Sequence, residues 1–209
     1  MLTLAIDSAS EACSVALFEQ TTLVAGDCRL LGRGHAEQLV PMIAALPGRG
    51  RAERIAVSLG PGSFTGVRVG IAAARALAFA WGADLVGFST LALVTAMARA
   101  RRDPGPVTVV TTGGHGEWFV QDFDEAGVAA GDLASMRPDH AAALTTADLV
   151  AGSQAAALVE RRGWGTALPI LPDAREFLRL IPAAFTDRVS PVYGRLPDAR
   201  LPENPGRAA

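Results

Sequence analysis

The stretch Ala56–Trp81, AVSLGPGSFTGVRVGIAAARALAFAW, limits what this chain can fold into more than any other. Ala56, Val57 and Leu59 read as the end of a buried strand, which Gly60, Pro61 and Gly62 break sharply. Ser63 or Thr65 can cap the helix that follows. A strand, a glycine turn and a helix N-terminus make a backbone suited to phosphate, because unpaired N–H groups point outward there. A phosphate-cradling loop also needs a Lys just before its Ser or Thr, and Gly60–Gly66 contains none. The turn therefore reads first as a tight strand-to-helix connection. The helix carries one apolar stripe at Val67, Ile71, Ala74, Ala78 and Trp81 and another at Val69, Ala73, Leu77 and Ala80, interrupted by Arg68 and Arg75. A helix apolar nearly all round needs cover on more than its sheet side. Either the rest of the chain or a partner subunit supplies it.

With 209 residues, half of them hydrophobic, the chain can build one large domain or two small ones and is not disordered over most of its length. Nineteen basic residues, all Arg, against 21 acidic ones give a net charge of −2, a poor footprint for a chain that grips nucleic acid alone. Cys13 and Cys28 form no metal or disulfide framework and are expected as free thiols. The start, MLTLAIDSAS, lacks the basic flank and apolar core of a signal peptide. No run approaches the ~18 strong hydrophobes of a membrane span. A cytoplasmic location is the expectation.

In chain order, Leu2, Leu4 and Ile6 alternate as a strand ending in the polar turn Asp7-Ser8-Ala9-Ser10. Ser14–Phe18 and Thr22–Leu31 continue as second and third strands. A strand ending in Asp and returning through such a turn has the shape of the first phosphate loop of the actin, Hsp70 and sugar-kinase superfamily, which makes Asp7, Ser8 and Ser10 candidate nucleotide-binding residues. Asp7 and Ser10 are equally suited to stabilising the turn itself. A helix is expected over His35–Leu46, with Ala36, Leu39, Val40, Ile43 and Leu46 on one face and Pro41 inside it. Strand Arg54–Leu59, the central helix, strand Leu85–Gly87 and a helix from Ser89 to Arg101 follow. The polar, proline-rich Arg101–Pro106 is the best boundary. Beyond it come strands Val107–Thr111 and Glu117–Phe123, helix Pro138–Leu144, strand Ala147–Ala151, and helices Ser153–Arg162 and Ala174–Ile181. Each half begins with paired strands and then alternates helix with strand, the pattern of a duplicated α/β unit. The expected division is a lobe over 1–103, a smaller lobe over 104–194, and a mobile tail over 195–209.

Taken together, LAIDSASEACSVALF, HAEQLVPMI, LGPGSFTGVRVGIAAARALA, GFSTL and SPVYGR form an ordered series. The series resembles the bacterial tRNA threonylcarbamoyladenosine biosynthesis family TsaB (YeaZ), closely over Leu2 to Met97 and again over Ser190–Arg195. The resemblance implies an α/β, actin/Hsp70-like (ASKHA) fold of two related lobes without catalysis of its own. It implies pairing with the catalytic paralogue TsaD and the ATPase TsaE, in the complex that transfers a threonylcarbamoyl group to the adenosine beside the tRNA anticodon, with tRNA met only through the complex. It implies a homodimer when the chain is isolated, no cofactor of its own, and a place for ATP or ADP only at the subunit junction. The family's interface is built from two helices, here His35–Leu46 and Thr65–Trp81. The expected contact residues are His35, Leu39, Val40, Ile43, Val67, Arg68, Ile71, Ala74, Arg75 and Ala78.

Two rival readings come from other classes. One is a nucleotide-binding or hydrolysing enzyme of the actin/Hsp70 superfamily that uses Asp7, Ser8 and Ser10. The other is a glycoprotease-like metallopeptidase. The catalytic paralogue holds its metal with His-x-x-x-His, whose members share one helix face, and this chain has His35 followed by Leu39. His115 and His140 have no ligand-type spacing, so no metal site is expected. Nor is there a G-x-S-x-G nucleophile elbow at Gly60–Phe64. The chain also departs from its relatives, which carry Asp-Ala-Arg where Thr112-Gly113-Gly114 stands, so both charges of that triplet are gone.

Overall fold

A computed structural model of the chain describes residues 1–102 and 105–194. Strands β1 (Leu2–Asp7), β2 (Ala12–Glu19) and β3 (Thr22–Leu30) form an antiparallel meander. Helix α1 (His35–Ala45), strand β4 (Arg54–Ser58), helix α2 (Phe64–Trp81), strand β5 (Asp84–Phe88) and helix α3 (Thr90–Arg101) follow. The sheet runs β3-β2-β1-β4-β5, with β1, β4 and β5 parallel. The second half repeats this plan in β6 (Val107–Thr112), β7 (Trp118–Phe123), β8 (Ala134–Met136), α4 (Pro138–Leu144), β9 (Leu149–Ala151), α5 (Ala155–Arg162) and β10 (Thr166–Leu168). Its order, β8-β7-β6-β9-β10, matches that of the first sheet, with β6, β9 and β10 parallel.

The molecule is layered α1/α2, first sheet, α3, second sheet, α4/α5. The first sheet is therefore covered on both faces, and β1 and β2 are buried almost throughout instead of alternating. Leu4, Ile6, Val15 and Leu17 pack toward α1 and α2, while Ala5, Ala16 and Ala56 leave room for α3 on the opposite face. By length and composition α2 is apolar enough to cross a membrane. Its Gly66, Val67, Gly70, Ile71, Ala74 and Ala78 are nevertheless buried on the sheet.

Ser63 caps α2, accepting from Gly66 N at 3.3 Å, and Ser89 caps α3, accepting from Ala92 N. Strands β8 and β10, of three residues each, were too short to carry a period in the sequence. The helix expected over Ala174–Ile181 is a 3₁₀ segment, Ala174–Arg179, because Pro182 forces Ile181 into extended geometry.

The division expected at 103–104 falls outside the described residues, as does the tail over 195–209. The segment expected to complete the second lobe does not stay there. Strand β11 (Phe185–Thr186) pairs antiparallel with β5, and Ala174 N donates to Ser14 Oγ on β2 at 2.9 Å. The chain's last described residues thus return to the first sheet, whose exposed edge at β5 offers unpaired backbone groups.

Candidate functional site

Two places carry the expected site residues: the β1–β2 turn and the α1/α2 pair. In the turn, Asp7 Oδ1 accepts from Ala9 N at 3.1 Å, and Ser10 Oγ accepts from Ala12 N at 3.1 Å. Ser8 Oγ donates to Gly66 O at 2.9 Å. The inner side of the turn is filled by the glycine loop and the start of α2. A Cβ on Gly62 would lie 1.9 Å from Ala9 O, and one on Gly66 would lie 2.1 Å from Ser8 O. Asp7 is 0% exposed, and burial pushes its carboxyl up to about 6. The nearby hydroxyls of Ser58 and Thr90, hydrogen-bonded to each other, moderate that rise, while Asp7 Oδ2 has no hydrogen-bond partner. Asp7, Ser8 and Ser10 are brought together and each has an internal structural contact; Asp7 and Ser8 are buried and Ser10 is half-buried.

His35 is buried, and its Nε2 donates to Ser10 O at 2.9 Å, which ties the start of α1 to the same turn. Leu39 beside it is fully buried. Among the described residues no group of three His, Cys, Asp or Glu side chains is placed to hold a metal.

The helix pair has two distinct sides. His35, Leu39, Met42 and Ile43 of α1 and Val67, Ile71, Ala74 and Ala78 of α2 point into the core beneath them. The opposite side is exposed and apolar: Ala36, Val40, Pro41 and Ala44 on α1, and Ala72, Ala76, Phe79 and Ala80 on α2. Phe79 is 92% exposed and Val40 56%. The two Arg of α2 hold the chain's returning end. Arg75 Nη2 donates to Val189 O at 2.6 Å, and Arg68 Nε donates to Tyr193 OH at 3.0 Å. The Arg68 guanidinium also sits 3.4 Å over the Phe64 ring, which stacks on Tyr193 at 5.7 Å.

A family model described as TsaD, tRNA N6-adenosine threonylcarbamoyltransferase, matches residues 29–178. The tRNA threonylcarbamoyladenosine biosynthesis protein TsaB of Escherichia coli (strain K12) is 36% identical over 139 residues, covering 63% of this chain and 60% of that protein. The chain belongs to this family, on its TsaB (YeaZ) side. TsaB of Bacillus subtilis (strain 168) is 29% identical over 124 residues, covering 57% of this chain and 53% of that one. The chain thus spans a little over half the length of these curated relatives. YeaZ from Pseudomonas aeruginosa superimposes with a TM-score of 0.75 at 28% identity, over 92% of this chain and 99% of that one. The two repeated sheets are accordingly the two related lobes of an actin/Hsp70-like fold.

The contact residues expected from the sequence fall into buried and exposed groups. His35, Leu39, Ile43, Val67, Ile71, Ala74 and Ala78 are core of their own lobe and unavailable to a partner without unfolding. Val40 alone of the expected apolar contacts lies on the outer side. Arg68 and Arg75 are exposed but engaged with the chain's own end. Pro41, Ala44, Ala72, Ala76, Phe79 and Ala80, which the sequence reading did not single out as contacts, lie on the exposed side. The signal was present: Gly66, Gly70, Ala74 and Ala78 repeat every four residues, and the smallest side chains belong where α2 lies closest to the sheet. A Cβ on Gly70 would stand 2.5 Å from Ser8 Oγ.

Proposed function

We propose that this chain is a non-catalytic scaffold subunit of the complex that transfers a threonylcarbamoyl group to the adenosine next to the tRNA anticodon. It binds and supports the catalytic paralogue TsaD, and the ATPase TsaE joins the complex they form. tRNA is met only through that complex, in the cytoplasm. The observation that carries this reading is the exposure of apolar residues on the outer sides of α1 and α2, Val40 on the first and Phe79 with small alanines on the second. A large aromatic ring so exposed on a helix rich in alanine is the anchor such an interface needs, since alanines let a second helix approach to roughly 8–10 Å between axes. In the isolated protein a second copy covers the same surface. Support for the non-catalytic part comes from the β1–β2 turn, whose Asp7, Ser8 and Ser10 serve the fold, and from Leu39 standing where a second metal ligand is required. ATP or ADP, if it takes part, then belongs at the subunit junction.

The test is a double substitution, Val40→Asp with Phe79→Asp. Both residues are exposed, so the thermal transition is expected to stay within a few degrees of the parent, since surface changes cost about 0.5 kcal/mol or less each. Size-exclusion chromatography should show a monomer, and the paralogue from the same organism should no longer be captured. A variant that still dimerises and still binds the paralogue places the interface elsewhere.

A further inference from the structure

Thr112, at the end of β6 in the second lobe, donates its hydroxyl hydrogen to Glu11 Oε1 at the head of β2 in the first lobe, at 2.9 Å and across 101 positions of sequence. The same hydroxyl oxygen accepts from Gln154 Nε2 at 2.9 Å and lies 3.2 Å from Ser153 Oγ, while Thr112 N donates to Ser153 Oγ at 3.0 Å. The direction of this chain is set by its chemistry. An ionised carboxylate only accepts, so the Thr112 hydrogen goes to Glu11, and Ser153 and Gln154 must supply theirs to Thr112. Each donor polarises the next toward the charge, which strengthens the series as a unit.

Both ends are firmly mounted. The Glu11 carbonyl accepts from Leu31 N and Gly32 N, at 2.9 Å each, which ties β2 to the end of β3. On the other lobe, Gln154 N donates to Val110 O, fixing the approach to α5 against β6. Between the lobes, α3 and its neighbours also supply apolar packing, which is non-directional and tolerates sliding, and Arg99 of α3 donates to the carbonyls of Asp124 and Glu125. The link at Glu11 is a second directional one, made from the head of β2 to the end of β6.

We propose that Glu11, Thr112, Ser153 and Gln154 form a latch between the lobes that holds them at one angle, so that the chain does not open and close as a hinged two-lobed protein does. The latch is independent of the partner surface on α1 and α2, which lies wholly within the first lobe.

Residue-resolved hydrogen exchange on the full chain tests it, with Thr112→Val and Thr112→Ser compared with the parent. Valine keeps the shape and removes the hydroxyl; serine keeps the hydroxyl. The amides of Leu31, Gly32 and residue 112 should exchange about three- to tenfold faster in Thr112→Val, the range expected for loss of a partly exposed bond to a charged acceptor. The β1 and β4 amides should be unchanged, and Thr112→Ser should behave as the parent. Unchanged exchange in Thr112→Val overturns the latch. So does acceleration spread evenly over the core strands, or an equal acceleration in Thr112→Ser, because either shows a general loosening of the fold.

Discussion

Asp7 is the residue on which burial and charge conflict most directly. Its folded carboxyl titrates at about 6, above the ordinary value of 3.8, chiefly because it is removed from water. A carboxyl with a raised folded pKa favours folding in its protonated form. Its contribution is therefore fully present below the unfolded value and is lost as pH rises from about 4 through about 6. The difference corresponds to at most about 3 kcal/mol. Asp7→Asn should make the protein more stable than the parent at pH 7.5 and about equal to it at pH 4, measured by urea unfolding at both values. An Asn variant less stable at pH 7.5 contradicts this. The two thiols follow similar logic. Burial pushes Cys13 up to about 12 and Cys28 up to about 11. In the β2–β3 register Cys28 lies opposite Ser14 and Cys13 opposite Arg29, so the side chains point to opposite faces of the sheet. No bridge can join them. Thiol titration of the denatured, unreduced protein should return two, with slow labelling in the native state; a count of zero refutes it.

At the scale of elements, α2 is governed by how closely it approaches the sheet. Gly66 and Gly70 bring its first turns onto the β1–β2 turn, and Ala74 and Ala78 continue the contact. Gly66→Ala drives a methyl into the Ser8 carbonyl, and Ala74→Arg forces a long charge into a site with 0% exposure. Each should cost several kcal/mol of folding stability, by overpacking in one case and an unpaired buried charge in the other. Both should appear as insoluble protein or a sharply lowered melting temperature. A soluble Ala74→Arg monomer with the parent's melting temperature would instead put that face on the surface. This reverses what the apolar stripe alone invites, in which Ala74 meets a partner and tolerates Arg in the free chain. Periodicity finds the stripes but does not say which one lies beneath, because α2 is apolar on both sides. The small residues at four-residue spacing hold that information.

Across the whole molecule, the chain's end closes what its beginning started. Phe177 packs against Phe18 at 5.8 Å, Phe88 at 5.8 Å and Phe185 at 5.5 Å, so one ring from the second half joins β2, β5 and β11. Phe177→Ala should lower stability by about 3–5 kcal/mol in urea unfolding, the usual range for emptying such a site. A loss below about 1 kcal/mol means the cluster relaxes around the gap. The elements of the first lobe were legible in the sequence nearly to their ends, because each has a local cause: Ser63 and Ser89 as caps, the Gly60–Gly62 break, and runs of β-formers between polar turns. Asp7, Ser8 and Ser10 were legible as a turn for the same reason. Long-range geometry was not legible. That Thr112 reaches Glu11, that Arg68 and Arg75 hold Tyr193 and Val189, and that β11 joins β5 are contacts between residues 97 to 125 positions apart. No local period encodes such contacts. Local propensity and pattern determined the order and type of the elements in this chain; only the packed tertiary structure decided which apolar face lies inside and which remains free, because burial depends on the layers on either side of an element.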